Sequence, residues 1–293
     1  MGYFFAVIPG QSNFLLKQKR TEFIILTKER KNVMANISVR FYSNCLRRFT
    51  TFNMYLPNDI REDEPNESEY ANRPIKTLFL LHGYTGDADN WVPWYLADKY
   101  NFAVVIPNGE NSFWLDGIST GHAFCKFLGE ELTEYVRRVF GLAKTKEDTY
   151  IMGLSMGGFG ALHTALYYPD KFCLATALSP ALVVHEVANM KDGVGNEIAN
   201  YEYFRECFGD PAKVLESDNN PETLIKKIKA EGKECPKIFM ACGTDDFLIE
   251  NNRNFHKFLE SEGIEHTYVE DKGQHDMEFW NRYVLKFVPM MFG

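Results

Sequence analysis

This sequence predicts an α/β architecture, a mostly parallel sheet with helices on both faces, and three observations carry that expectation. From Met34 onward, short apolar runs alternate with stretches long enough for a helix. Strands buried on both faces and joined by helical crossovers read this way. The chain has 293 residues, 45% hydrophobic and 15% aromatic, which is enough for one large core, so one domain is expected. The third observation is Gly153-Leu154-Ser155-Met156-Gly157, set between a strand-like run and a helix-like run.

Taken in order, residues 37–43 and 50–56 read as two strands of an antiparallel hairpin at one sheet edge. Residues 58–74, rich in Asp, Glu, Asn and Pro, read as a loop. Strands are then expected at 76–81, 102–106, 149–152, 173–178, 237–241 and 267–270. Helices are expected at 156–168, ending before Pro169, at 221–231, and after an acidic loop at 247–260. The connection after the 173–178 strand is the longest. Its glycines and weak periodicity make 183–220 a candidate lid over the carboxyl ends of the strands, where ligands bind in such sheets.

Residues 1–33 differ from the rest. They carry a net charge of +4 in a chain whose total is −8. The apolar stretch 2–8 is too short to span a bilayer, and the basic residues follow it instead of preceding it, against a secretory signal. Position six holds Ala6, where myristoylation needs Ser or Thr. Two readings stay open: a poorly ordered basic arm, or an extension upstream of a natural start at Met34. The 34–293 stretch is expected to form the catalytic domain.

The acidic balance argues against a nucleic-acid groove, which needs clustered Lys and Arg. Six cysteines without a C-x-x-C pair read as buried free thiols of a reducing compartment, so the expected location is cytoplasmic. No two of the seven histidines have the H-x-x-x-H or H-x-H spacing of a zinc site. The partners expected are a small-molecule substrate, with no nucleic acid, no membrane and no cofactor, and the oligomeric state stays open.

A serine in a sharp strand-to-helix reversal has its hydroxyl lifted from the sheet edge, and glycine two before and two after it relieves the crowding. The N–H of Met156 then lies at a helix N-terminus, available to a developing oxyanion. Such a serine needs a base, and the base needs an acceptor to hold its tautomer. Two late strands are followed by Gly243-Thr244-Asp245-Asp246-Phe247 and by Gly273-Gln274-His275-Asp276. His163 lies eight residues along the nucleophile helix, about 12 Å from Ser155, out of reach. His256 falls inside the helix after the acidic loop, and His122 and His185 have no strand end beside them. Either Asp245 or Asp246 could instead cap a helix.

These stretches, together with Leu80-Leu81-His82-Gly83-Tyr84, resemble the α/β-hydrolase superfamily and more closely its esterase family, which includes small acetyl and tributyrin esterases and feruloyl esterases. The resemblance runs from about Met34 to the C-terminus. It implies an α/β-hydrolase fold with a short lid insertion, and a serine esterase acting on acetyl or other short-chain esters, carbohydrate or aryl alcohols among them. It implies nucleophile Ser155, base His275 and, by the spacing after Gly243, acid Asp246. The oxyanion donors implied are the N–H groups of Met156 and Tyr84, with Gly83 giving close backbone approach and His82 structural. Trp280 is a candidate substrate contact, and Trp91, Trp94 and Trp114 are read either as pocket walls or as core. The similar mycolyltransferases keep an acyltransferase in view. S-formylglutathione hydrolases are related too, although residues 82–86 depart from their pattern. A binding scaffold without activity is the different class, and the intact Ser155, Asp246 and His275 speak against it.

Overall fold

The computed structural model describes residues 35–57 and 68–293. The expected N-terminal extension and most of the loop expected at 58–74 lie outside the described residues.

Eight strands form one sheet: β1 Ala35–Ser43, β2 Arg48–Leu56, β3 Lys76–Leu81, β4 Phe102–Pro107, β5 Thr149–Leu154, β6 Leu174–Leu178, β7 Lys237–Gly243 and β8 His266–Asp271. Their spatial order is β1-β2-β4-β3-β5-β6-β7-β8. The hairpin β1–β2 and the pair β2–β4 are antiparallel, and every other pair is parallel. From β3 the chain moves outward to β4 and then returns to β5 on the other side. That reversal opens a crevice beyond the carboxyl ends of β3 and β5, where open α/β sheets bind ligands.

The period of two along each strand divides the core. Leu78 and Leu80 of β3 face one side of the sheet, where α1 (Trp94–Lys99) and α9 (Met277–Phe292) pack with Phe279, Val284 and Phe287. Phe79 and Leu81 face the other, against α4 (Met156–Tyr167) and the segment made of α2 (Phe124–Lys126), a π-helical turn (Phe127–Leu132) and α3 (Thr133–Phe140). The helix α4 is buried from Met156 to Leu166, so it is sandwiched between the sheet and α7 (Pro221–Ala230). Each large apolar side chain buried there stabilises by roughly 1.5–3 kcal/mol. On this face too lie α5 (Val184–Ala188), α6 (Tyr201–Phe208), a 3₁₀ turn (Pro211–Glu216) and α8 (Ile249–Ser261). Among the described residues no helix is long and apolar enough to cross a membrane.

Candidate active site

Ser155 stands between β5 and α4 at φ 54°, ψ −120°, a left-handed conformation costly for any residue with a Cβ. Three backbone bonds hold it there: its N–H donates to Leu178 O at 2.8 Å, and its carbonyl accepts from Ala181 N and Phe159 N, each at 3.0 Å. The flanking glycines are steric necessities. A Cβ on Gly153 would lie 2.0 Å from Gly157 O, and one on Gly157 would lie 2.3 Å from Leu81 O.

His275 and Asp246 arrive from the loops after β8 and β7. His275 Nε2 is 2.9 Å from Ser155 Oγ, and its Nδ1 is 2.9 Å from Asp246 Oδ2 and 3.1 Å from Oδ1. With a carboxylate at Nδ1, the proton resides there and Nε2 presents its lone pair to the serine. Asp246 is fully enclosed, while Asp245 is exposed, its N–H donating to Gly273 O. Burial by itself raises the Asp246 carboxyl, but hydrogen bonds from His275, from Leu248 N–H and from the Ser179 hydroxyl outweigh it and hold it below the usual carboxylate range.

Ser179 was not among the residues singled out from sequence. It is fully buried just past β6 at φ 44°, accepts the Trp280 indole N–H at 3.0 Å and donates to Asp246. Trp280 also meets the His275 ring edge to face at 4.9 Å, and Phe247, 66% exposed, covers that ring at 4.6 Å. Asp276, next to the histidine, caps α9 by accepting Phe279 N–H at 2.9 Å.

Opposite the serine, the β3 loop is held by His82. Gly109 N–H donates to its Nε2 at 2.9 Å, which leaves the proton on Nδ1 for Gly83 O at 2.8 Å. Burial lowers its pKa and keeps the ring neutral. Gly83 O also accepts Gly86 N–H at 3.0 Å, and Thr85 N–H donates to Asn111 Oδ1 at 2.8 Å. The Gly83–Tyr84 peptide plane is thereby fixed. Among the described residues these bonds take up the N–H groups of Ser155, Thr85 and Gly86, but not those of Tyr84 and Met156. Gly83 passes so close to the Ser155 turn that a Cβ on it would lie 2.8 Å from the Leu154 side chain.

A cavity of about 490 Å³ opens over Ser155, with Tyr84, Leu154, Ile198, Met277 and Trp280 in its apolar wall. Of the tryptophans, Trp91 and Trp280 line it, Trp114 is core beneath His82, and Trp94 is on the surface. The remaining histidines lie elsewhere. His122 pairs with Glu206 and His185 with Glu222, His256 contacts His266 at 2.7 Å, and His163 is buried. All six cysteines are free thiols. Among the described residues no group of three or more His, Cys, Asp or Glu is placed to hold a metal ion.

The sheet order, the crevice and the strand-to-helix turn are those of the α/β hydrolases. Within that class the profile of the family described as Putative esterase matches residues 43–290, and the chain belongs to that family of carboxylic ester hydrolases. It is 42% identical over 262 residues to an acetyl esterase of Caldicellulosiruptor saccharolyticus, covering 88% of this chain and 98% of that protein. It is similar to the substrate-bound structure of a fluorophosphonate-binding serine hydrolase of Staphylococcus aureus, with TM-score 0.75, 26% identity and coverage of 89% and 99%. The S-formylglutathione hydrolase of the same organism superposes with TM-score 0.73 at 26% identity, covering 89% and 100%.

Proposed function

We propose that the chain hydrolyses short-chain acyl esters, acetyl esters foremost, through an acyl-enzyme on Ser155. The observation that carries this reading is the relay in which one imidazole bridges Ser155 Oγ and the enclosed Asp246, each at 2.9 Å. His275 Nε2 takes the serine proton as Oγ attacks the ester carbonyl. The N–H groups of Met156 and Tyr84 receive the oxyanion, and Asp246 stabilises the imidazolium. His275 then gives its proton to the departing alkoxide. Water, deprotonated by the same nitrogen, releases the carboxylic acid and restores Ser155. The short acyl group is supported by the likeness to an acetyl esterase.

Ser155→Ala is expected to abolish turnover of p-nitrophenyl acetate down to the residue left by binding and the oxyanion donors. Retention of more than about a tenth of the activity sinks the assignment. In a series of p-nitrophenyl esters, kcat/KM should decline beyond short chains, and a rise toward octanoate would move the substrate class.

A thioesterase acting on S-formylglutathione is the second reading, favoured by the 26% identity to the staphylococcal hydrolase. Side-by-side kcat/KM for S-formylglutathione and p-nitrophenyl acetate separates the two. We infer further that 183–220 works as a lid, supported by Ile198, which borders the cavity while 52% exposed. Proteolytic cleavage between residues 189 and 199 should slow when Ser155 is blocked by a phosphonate, and an unchanged rate removes the lid.

A further inference from the structure

The mouth of the Ser155 cavity carries charge of one sign. Asp87 and Asp89 border it, and no Lys or Arg lines it. Among the described residues neither carboxylate pairs with a Lys or Arg. Their positions are set by the residue between them. Ala88 is buried in the core beneath α1, and its carbonyl accepts the Asn53 side-chain N–H from β2 at 3.0 Å. Asp89 N–H closes the turn by donating to Asp87 Oδ1 at 3.2 Å. Both side chains are exposed, on a backbone that is anchored. A second observation concerns Trp91, in the wall of the same cavity. Its indole N–H is buried and, among the described residues, has no acceptor. An unpaired buried donor of this kind costs free energy.

We infer that this rim is a charge filter on the leaving group: it admits uncharged or cationic alcohols and thiols and rejects anionic ones. The inference rests on the ester hydrolysis proposed above, since a short acyl group attached at Ser155 stays deep and the alcohol reaches the mouth. Two carboxylates about 7 Å from a substrate carboxylate, in a dielectric close to that of water, weaken its binding roughly fivefold to tenfold. The repulsion is longest-ranged at low salt, where the screening length exceeds about 10 Å. It also lowers the encounter rate. Hydroxyls of a neutral alcohol can donate to the two exposed carboxylates. A glutathione thioester, with two carboxylates and one ammonium group, falls on the rejected side.

The test uses three acetyl esters of matched shape: 4-acetoxybenzamide, 4-acetoxybenzoate and 4-acetoxybenzyltrimethylammonium. Their kcat/KM values are each divided by the ester's own rate of cleavage by neutral imidazole and compared at about 20 mM and about 0.5 M salt. The expected result at low salt is a normalised value for the anion at least about fivefold below that of the neutral ester, with the cation at or above it. High salt and the double substitution Asp87→Asn with Asp89→Asn should each bring the three values to within about twofold. Equal values in the parent, or a gap that survives both treatments, overturns the filter while ester hydrolysis stands. Turnover of none of the three overturns the esterase reading and the filter with it.

Discussion

Two histidines in this molecule each lie beside a nucleophilic side chain, and their surroundings are opposite. His275 has the enclosed Asp246 carboxylate behind it, Ser155 in front and a cavity beyond. His163, two turns along α4 from that serine, has Cys125 Sγ 3.6 Å from its Nδ1 and the backbone carbonyl of Asp218 2.8 Å from its Nε2. Burial pushes the His163 pKa down to about 4 and the Cys125 thiol well up. A carbonyl offers the imidazolium less than a carboxylate does, and the core offers it no water. A histidine next to a nucleophile is therefore not yet a base. What separates the two pairs is the charge behind the ring and the space in front of it.

The largest expected effect strikes the first half of that comparison. Asp246→Asn removes the charge behind His275 and should cost at least about two orders of magnitude in kcat, up to roughly 10⁴. Asp245→Asn, at an exposed position, should stay within a few-fold of the parent. A reversal of those two results would transfer the acid to Asp245.

The second effect is on stability and belongs to His163. Its folded pKa of about 4 lies below the ordinary histidine value of 6.5, so as pH falls the unfolded chain takes up a proton that the folded chain refuses. The contribution is complete above about pH 6.5 and declines toward pH 4, a loss of about 3 kcal/mol. Urea midpoints measured from pH 7 to 4.5 should show the slope, and His163→Gln, which keeps an N–H for Asp218, should flatten it. An unchanged slope would assign the acid sensitivity to other groups.

Ser179→Ala comes next, at about a tenfold loss in kcat with KM little changed, because Asp246 loses one of its donors. A variant with parental kcat would leave Ser179 only a packing role. Smallest is Cys125→Ala, expected within about twofold of the parent in kcat/KM, since that pair meets no substrate. Rapid alkylation of Cys125 in the folded protein would break the comparison itself.

Most of what positions Ser155 was legible in the sequence because it is local. The glycines around Ser155 are dictated by backbone that would lie 2.0 and 2.3 Å from an added Cβ, and such crowding admits few alternatives. The six parallel strands were visible as apolar runs, but not their order, since nothing within a run says that β4 lies outside β3. Asp246 was separated from Asp245 only by a resemblance, and the structure faces Asp246 toward His275. Ser179 escaped notice because a serine after a buried strand has no local signature. Its role depends on Trp280, 101 residues away. Asp87 and Asp89 escaped for a related reason: acidic residues in a loop read as solvated until the cavity they border is known.

The beginning of α9 packs several duties into six residues. His275 faces the serine, Asp276 caps the helix, Met277 walls the cavity, and Trp280, one turn on, ties Ser179 in place. A helix advances 100° per residue, so one inserted residue between 276 and 280 would turn Trp280 away from Ser179 while leaving the cap intact. Point substitution can adjust these duties separately, whereas a change of length cannot. Exchange of the stretch from 273 to 280 between relatives should therefore succeed only when it is moved whole.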